Sequence, residues 1–183
     1  MKLLLLSDIH DHIWHLEALL QADLGAGVLL CCGDLCSPFV MGMMGRLFGG
    51  DIHIVSGNND ADLLRITRTA AGFGPRVHLH GEGVALVIDG LHIALNHYDT
   101  LARDIAASGR YDVVCFGHNH RREQTIEQHA GREVLLLNPG PVMGVAFDQG
   151  LPVPVAASFM VLDTRTRQAD SYELRDGRVL PLA

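Results

Sequence analysis

Residues 111–120 read Tyr-Asp-Val-Val-Cys-Phe-Gly-His-Asn-His. The apolar part, Tyr111 to Phe116, predicts a short buried strand, and Gly117-His118-Asn119-His120 is its exit. Two imidazoles two residues apart, just past a strand end, can point the same way into one cavity. The chain repeats this plan. Asp8-Ile9-His10 follows the run Lys2–Ser7, and Gly33-Asp34 follows Gly27–Cys32. Gly57-Asn58-Asn59-Asp60 follows Asp51–Val55, His97 follows Leu91–Leu95, and Asn138-Pro139-Gly140 closes Val134–Asn138. Polar groups at the C-terminal ends of strands predict a ligand site on that side of the sheet.

The segments between these runs have helical spacing. Ile13–Leu24 carries Leu16, Leu19, Leu20 and Leu24 on one face, and Ala61–Ala70 carries Leu63, Leu64 and Ile66 inward. Phe39–Phe48 follows Pro38 but is broken by Gly42 and Gly45, so a short or irregular helix is expected there. Strand–helix alternation predicts an α/β arrangement with parallel strands. The pattern then changes. Val77–Leu79, Val84–Ile88 and Leu91–Leu95 are short strands, with Asp89-Gly90 as a hairpin signal. Thr100–Ser108 reads as a helix. Glu123–Gln128 and Val134–Asn138 read as a second hairpin around Gly131. Ser158–Asp163, Asp170–Leu174 and Arg178–Leu180 read as an antiparallel meander. The stretch Pro139–Pro154 holds four prolines and three glycines and is expected to be a loop. The element count fits an α/β four-layer αββα sandwich, two mixed β-sheets flanked by helices, as one domain over residues 1–183.

Apolar residues make up 48% of the chain and charged residues 19%, which describes a globular chain rather than a disordered one. Fourteen Lys and Arg stand against twenty-one Asp and Glu, a formal charge of -7. No basic run offers a duplex-binding face, so no stable nucleic-acid complex is expected. Cys31, Cys32, Cys36 and Cys115 lack paired spacing, which excludes a zinc ribbon and fits a reducing compartment. The four-leucine run Leu3–Leu6 is far shorter than the roughly 7–15 apolar residues of a secretion signal core. A cytoplasmic protein without membrane association is expected. Phe39–Met44, with Met41, Met43 and Met44, reads as core, with a substrate wall or a dimer face as alternatives. A homo-oligomer therefore stays open.

Taken singly, the polar pieces are weak. A carboxylate and an imidazole two residues apart, as in Asp8 and His10, suit Mn²⁺, Zn²⁺ or Fe²⁺. They also suit a helix cap. Gly-Asp and Gly-Asn-Asn-Asp are ordinary turn chemistry, and Asn58 offers a neutral oxygen that binds a cation less strongly than a carboxylate. His97 alone would be an unremarkable loop histidine. His78 and His80 share one strand face without an evident carboxylate partner beyond Glu82. His15, His53, His92 and His129 read as surface or satisfied residues.

In order, however, Asp-x-His, Gly-Asp, Gly-Asn, His and Gly-His-x-His resemble the calcineurin-like metallophosphoesterase superfamily, from Leu3 to about Gly140. The residues carrying the resemblance are Asp8, His10, Asp34, Asn58, His97, His118 and His120. The short length and the Asn138-Pro139-Gly140 ending are similar to the small bacterial and archaeal phosphodiesterases, the branch that includes the small retromer subunit. The resemblance implies two divalent metal ions. Asp8, His10 and His120 would hold one, Asn58, His97 and His118 the other, and Asp34 would bridge them. Mn²⁺ is the first expectation, and Fe²⁺, Ni²⁺ and Zn²⁺ accept the same N/O set. Ions roughly 3.5–4 Å apart can share a hydroxide that attacks phosphorus in line. Two dications outweigh the two carboxylates, so an acidic chain would present a positive pocket to a small phosphate ester.

The chain departs from the family pattern at several points. Many members carry a proton-donating histidine where Asn59 stands, so aryl and other activated esters are expected to react better than poor alkoxides. Asp60 would orient the loop. Tyr98-Asp99 replaces a frequent Gly-His, and Pro141 replaces a frequent Ser or Thr. Asp11-His12 replaces a frequent Gly-Asn, which makes His12 a candidate proton donor or phosphate contact, or else a surface histidine at a helix start. Asp34, Asn58, Asn59, Asp60 and His12 would stand nearest the reaction. The expected function is a metal-dependent phosphoesterase favouring phosphodiesters. The alternative is a weakly active or silent protein-binding scaffold of the same fold. A cyclic nucleotide, a nucleic-acid end and a phospholipid-derived diester fit the substrate class equally.

Overall fold

In the computed structural model, which describes residues 1–182, the first half of the chain winds strand against helix. Strands β1 (Lys2–Leu6), β2 (Val28–Cys31), β3 (Asp51–Ile54) and β4 (Val77–Leu79) run parallel, and helices α1 (Ile13–Gln21), α2 (Pro38–Leu47) and α3 (Leu63–Ala71) connect them. The second half supplies β5 (Gly83–Ile88), β6 (Leu91–Asn96), α4 (Asp99–Ala107), β7 (Val113–Cys115), β8 (Glu123–His129), β9 (Arg132–Asn138), β10 (Val145–Asp148), β11 (Leu151–Pro154), β12 (Ala157–Asp163), β13 (Gln168–Arg175) and β14 (Arg178–Leu182). Two mixed sheets result, a seven-stranded one ordered β14-β13-β12-β1-β2-β3-β4 and a five-stranded one ordered β5-β6-β7-β9-β8.

The period-2 alternation of a strand splits its side chains between two faces. Leu4, Leu6, Leu29 and Cys31 pack under the helices with Leu16, Leu19, Met41 and Met44. Leu3, Leu5, Val28 and Leu30 face the other way, against Ile93, Leu95, Val113, Cys115, Leu135 and Leu137 of the second sheet. Ala94, Val114, Val134 and Leu136 lie under Ala102 and Ala106 of α4. The layers are therefore helix, sheet, sheet, helix, the expected four-layer αββα sandwich. Val40, Met41 and Met44 are fully buried and Met43 packs against that core, whereas Phe39 at the start of the stretch is 54% exposed. Among the described residues, no helix is long and apolar enough to cross a membrane.

Two expectations are corrected and a third is narrowed. The stretch Pro139–Pro154 is not all loop, because β10 and β11 pair as an antiparallel ribbon. Gln149 and Gly150 both take positive φ, 49° and 80°, the geometry of a tight hairpin turn. Prolines 152 and 154 sit in a two-stranded ribbon, where an absent N–H costs little. Helix α2, ten residues long, is short as expected but not irregular. A side chain at Gly45 would strike the Phe73 ring, so the glycine admits a neighbour instead of ending the helix. Leu63 and Leu64 are 50% and 62% exposed, and only Ile66 and Ala70 of α3 are buried. The helix starts at the edge of the sheet, so its first turn overhangs the core.

The pairing of β3 with β4 sets His53 opposite His78. The His53 ring stacks at 4.6 Å on His78 and 5.2 Å on His80, and His53 Nδ1 lies 3.0 Å from His80 Nε2. Burial first, then the neighbouring His78 and His80, push His53 down to about 4. A histidine with a depressed folded value adds stability that is whole above its unfolded value near 6.5. That stability drains as pH falls from there through about 4. By linkage alone the shift is worth about 3 kcal/mol. The ring is only half-buried, so screening by water brings the expected loss to on the order of 1 kcal/mol. His53→Asn should flatten the fall of the urea midpoint between neutral pH and this acid range. An unchanged fall would show that the stacked trio is not its source.

Candidate metal centre

Every loop at this centre leaves a strand of the two facing sheets and is tied to its neighbours through the backbone. Asp8 N–H donates to the Gly33 carbonyl (3.1 Å), and His10 N–H to the Asp34 carbonyl (3.0 Å). Gly117 N–H donates to the His97 carbonyl (2.9 Å), and Met143 N–H to the Asp8 carbonyl (3.1 Å). The loops turn sharply. Asp8, His10, Asp34, His118 and His120 have φ of 52°, 43°, 56°, 72° and 55°. These are left-handed backbones, sparsely populated by residues other than glycine, though Asp and His tolerate them better than most. Gly117 is required by close approach. A Cβ there would run into Ser7 and come within 2.8 Å of Asp8 Oδ2.

The seven side chains that carry the resemblance meet in two groups around Asp34. In one, His120 Nε2 is 3.4 Å from Asp8 Oδ1, and His10 Nε2 is 3.2 Å from His120 Nε2. In the other, Asn58 Oδ1 is 3.1 Å from His97 Nε2 and 3.0 Å from His118 Nδ1. Asp34 Oδ2 stands between them, 3.4 Å from His10 Nε2 and 3.4 Å from His97 Nε2. Asp8, His10 and His120 offer donor atoms all within 4.8 Å of one another, and so do Asp8, Asp34 and His97. Asp8, Asp34, His97 and His120 are buried, while Asn58 and His118 are exposed and form the open side.

The donor set fits a pair of dications. Two carboxylates are buried together, and their ion-pair partners among the described residues are imidazoles rather than Lys or Arg. Buried carboxylates held in this way need cations. The imidazoles are also aimed. His97 Nδ1 lies 2.7 Å from the Cys32 carbonyl and His120 Nδ1 lies 2.6 Å from the Val145 carbonyl. Each Nδ1–H therefore donates to backbone, and each Nε2 is turned to the cluster, a lone pair for a cation when the ring is neutral and a donor to Asp34 or Asp8 when the ring is protonated. Burial alone would raise Asp34, but hydrogen bonds from His97 and Asn59 outweigh it and hold the carboxyl well below its usual range. Burial would lower His97 and His120, yet the hydrogen bonds to Asp34 and Asp8 respectively raise both. His10, where burial prevails over the two aspartates, is lowered.

The remaining candidates fall into place around the seven. Asn59 donates to Asp34 twice, through its backbone N–H and its side chain, each at 2.8 Å. Asp60 accepts from Asp34 N–H (3.2 Å), Cys36 N–H (2.7 Å) and Gly57 N–H (2.7 Å), clamping two loops together. His12 is engaged on its own helix. It caps α1, accepting from His15 N–H at 3.3 Å, and its ring stacks on His15 at 3.7 Å. Several supports were not legible beforehand. Asn138, quoted only as an ending, is buried and donates to the Gly117 carbonyl (3.1 Å) and Asn119 Oδ1 (3.0 Å). The Cys32 and Val145 carbonyls, which no residue type announces, orient the His97 and His120 rings.

Known proteins resemble this chain along most of its length. A phosphodiesterase of Methanocaldococcus jannaschii, MJ0936, is 27% identical over 172 residues, which are 92% of this chain and 96% of the relative. The structure of an archaeal phosphodiesterase superposes with a TM-score of 0.76 at 25% identity, each chain covered completely. Vacuolar protein sorting 29 from Cryptosporidium parvum has the same fold, with a TM-score of 0.67 at 24% identity over 99% of this chain and 95% of its own. The model of the calcineurin-like phosphoesterase superfamily domain matches residues 1–167, so the chain belongs to that superfamily.

Proposed function

We propose that this chain is a binuclear metal-dependent phosphodiesterase. The observation that carries the reading is Asp34 Oδ2, equidistant at 3.4 Å from one imidazole of each ligand group. A carboxylate in that position is suited to joining two cations. Asp8, His10 and His120 would hold one ion and Asn58, His97 and His118 the other, with Mn²⁺ the first expectation. A bound pair of ions supplies Lewis acidity and a water activated as nucleophile near neutral pH. The chain supplies the rest. Backbone carbonyls fix the imidazole tautomers, Asn59 steadies the bridging carboxylate, and the exposed Asn58–His118 side admits a small phosphate ester. No acid stands at Asn59, so aryl esters, whose leaving groups need no proton, are the expected good substrates.

A protein-binding scaffold is the second reading. It is favoured by the missing acid at Asn59 and by the exposed apolar ribbon, in which Leu151 is 69% exposed. Turnover separates the two. The enzyme reading expects two ions per chain by elemental analysis and Mn²⁺-dependent release of nitrophenolate from bis(para-nitrophenyl) phosphate. A chelator should stop that release and Mn²⁺ should restore it. Metal-loaded protein that turns over no diester with Mn²⁺, Ni²⁺ or Zn²⁺ would favour the scaffold.

A further inference from the structure

The ribbon of β10 and β11 brings to the centre one side chain that neither the ligands nor the core requires. Phe147 is 54% exposed, yet its ring meets the imidazole of His120 edge to face, with centroids 5.5 Å apart and planes at 63°. The base of the ribbon is held at several points. The Val145 carbonyl accepts from His120, Met143 N–H donates to the Asp8 carbonyl, and Val155 N–H donates to the Gly144 carbonyl. Phe147 is two residues beyond Val145, so both side chains lie on one face of the ribbon. At the other ligand group, the Tyr98 ring stands 5.2 Å from His97 and 5.0 Å from His118. Aromatic rings thus border the cluster at both ends. A large apolar ring left in water forgoes its burial, and this one is left there beside a candidate phosphate site.

We propose that Phe147 is the wall of a subsite for an aryl ester ring. Its phosphate would be the one taken by the ligand cluster. The proposal rests on the phosphodiesterase reading and adds the substrate class. Aromatic rings interact across centroid separations of about 4.5–7 Å. Phe147 is already within that range of His120, so an aryl ring one oxygen away from a phosphate held beside His120 would be placed to meet it. An alkyl ester group gains little there.

The test compares bis(para-nitrophenyl) phosphate with methyl para-nitrophenyl phosphate in the Mn²⁺-loaded protein. Both release the same nitrophenolate, so the comparison isolates the second ester group. The diaryl ester is expected to have a KM lower by roughly tenfold, the scale of one aromatic contact. Phe147→Ala should bring that ratio near unity, and Phe147→Tyr should keep it. A ratio unchanged in Phe147→Ala would overturn the proposal while leaving the phosphodiesterase reading intact. A second arm needs no turnover, namely binding of phenylphosphonate and methylphosphonate by calorimetry. If neither ester reacts but a phenyl preference exists and disappears in Phe147→Ala, the subsite stands and the proposed activity falls. If no phenyl preference exists in either arm, the subsite is disproved.

Discussion

Asp34→Asn is expected to cut kcat/KM for a chromogenic diester by roughly a thousandfold, about 4 kcal/mol of transition-state stabilisation. The substitution keeps the size of the side chain and removes half of what makes the position work. Oδ2 now faces His10, His97 and the Asn59 side-chain amide from one point. An asparagine must turn either its NH₂ or a neutral oxygen toward those groups, and neither can join two cations. Elemental analysis should show fewer than two ions per chain. The metal-free protein should change as well. Wild-type Asp34 is held below the usual carboxylate range, so it adds stability above that range and loses it as pH falls through its depressed value. The variant gives up that contribution at neutral pH and with it this part of the acid sensitivity. Wild-type turnover with two bound ions in Asp34→Asn would refute the bridging role.

The largest effect on stability is expected from Asp60→Ala. Burial pushes Asp60 up, and the backbone N–H groups of Gly57, Cys36 and Asp34 partly offset that rise. The alanine leaves all three donors without their carboxylate. An unsatisfied buried donor costs about 1–3 kcal/mol. Because the three share one acceptor, only the Asp34 N–H is fully buried, and burial already disfavours the Asp60 charge, a combined loss of about 2–3 kcal/mol is expected, a large share of the roughly 5–15 kcal/mol typical of a domain. Urea unfolding of the metal-free chain reads it directly. Asp60→Asn, which keeps an acceptor oxygen, should fall between. A midpoint for Asp60→Ala close to wild type would mean that the two loops do not depend on this clamp.

What could be read beforehand had a local signature. The buried strands announced themselves as unbroken apolar runs, and the turns at Asp89-Gly90 and Gly131 as residues that accept positive φ. The seven candidate ligands stood at strand ends, where a parallel sheet collects them whatever the length of the intervening helices. The misses share a different cause. Gly45 looked like a helix breaker because its partner, Phe73, is far away in the chain. Leu63 and Leu64 fit a helical face, but spacing does not say where the sheet beneath it ends. The ribbon was hidden by prolines that an isolated two-stranded pair tolerates. His53 became part of a stacked trio only through the pairing of β3 with β4. The carbonyls that aim His97 and His120 belong to the main chain, so no side-chain pattern encodes them.

The left-handed backbones at Asp8, His10, Asp34, His118 and His120 set durability against turnover at the same five peptide units. Glycine would relieve on the order of 1 kcal/mol at each such unit, and would delete a ligand in doing so. A descendant kept only as an adaptor would be free to shed that backbone strain wherever the side chain, unlike that of Asp34, adds no stability of its own.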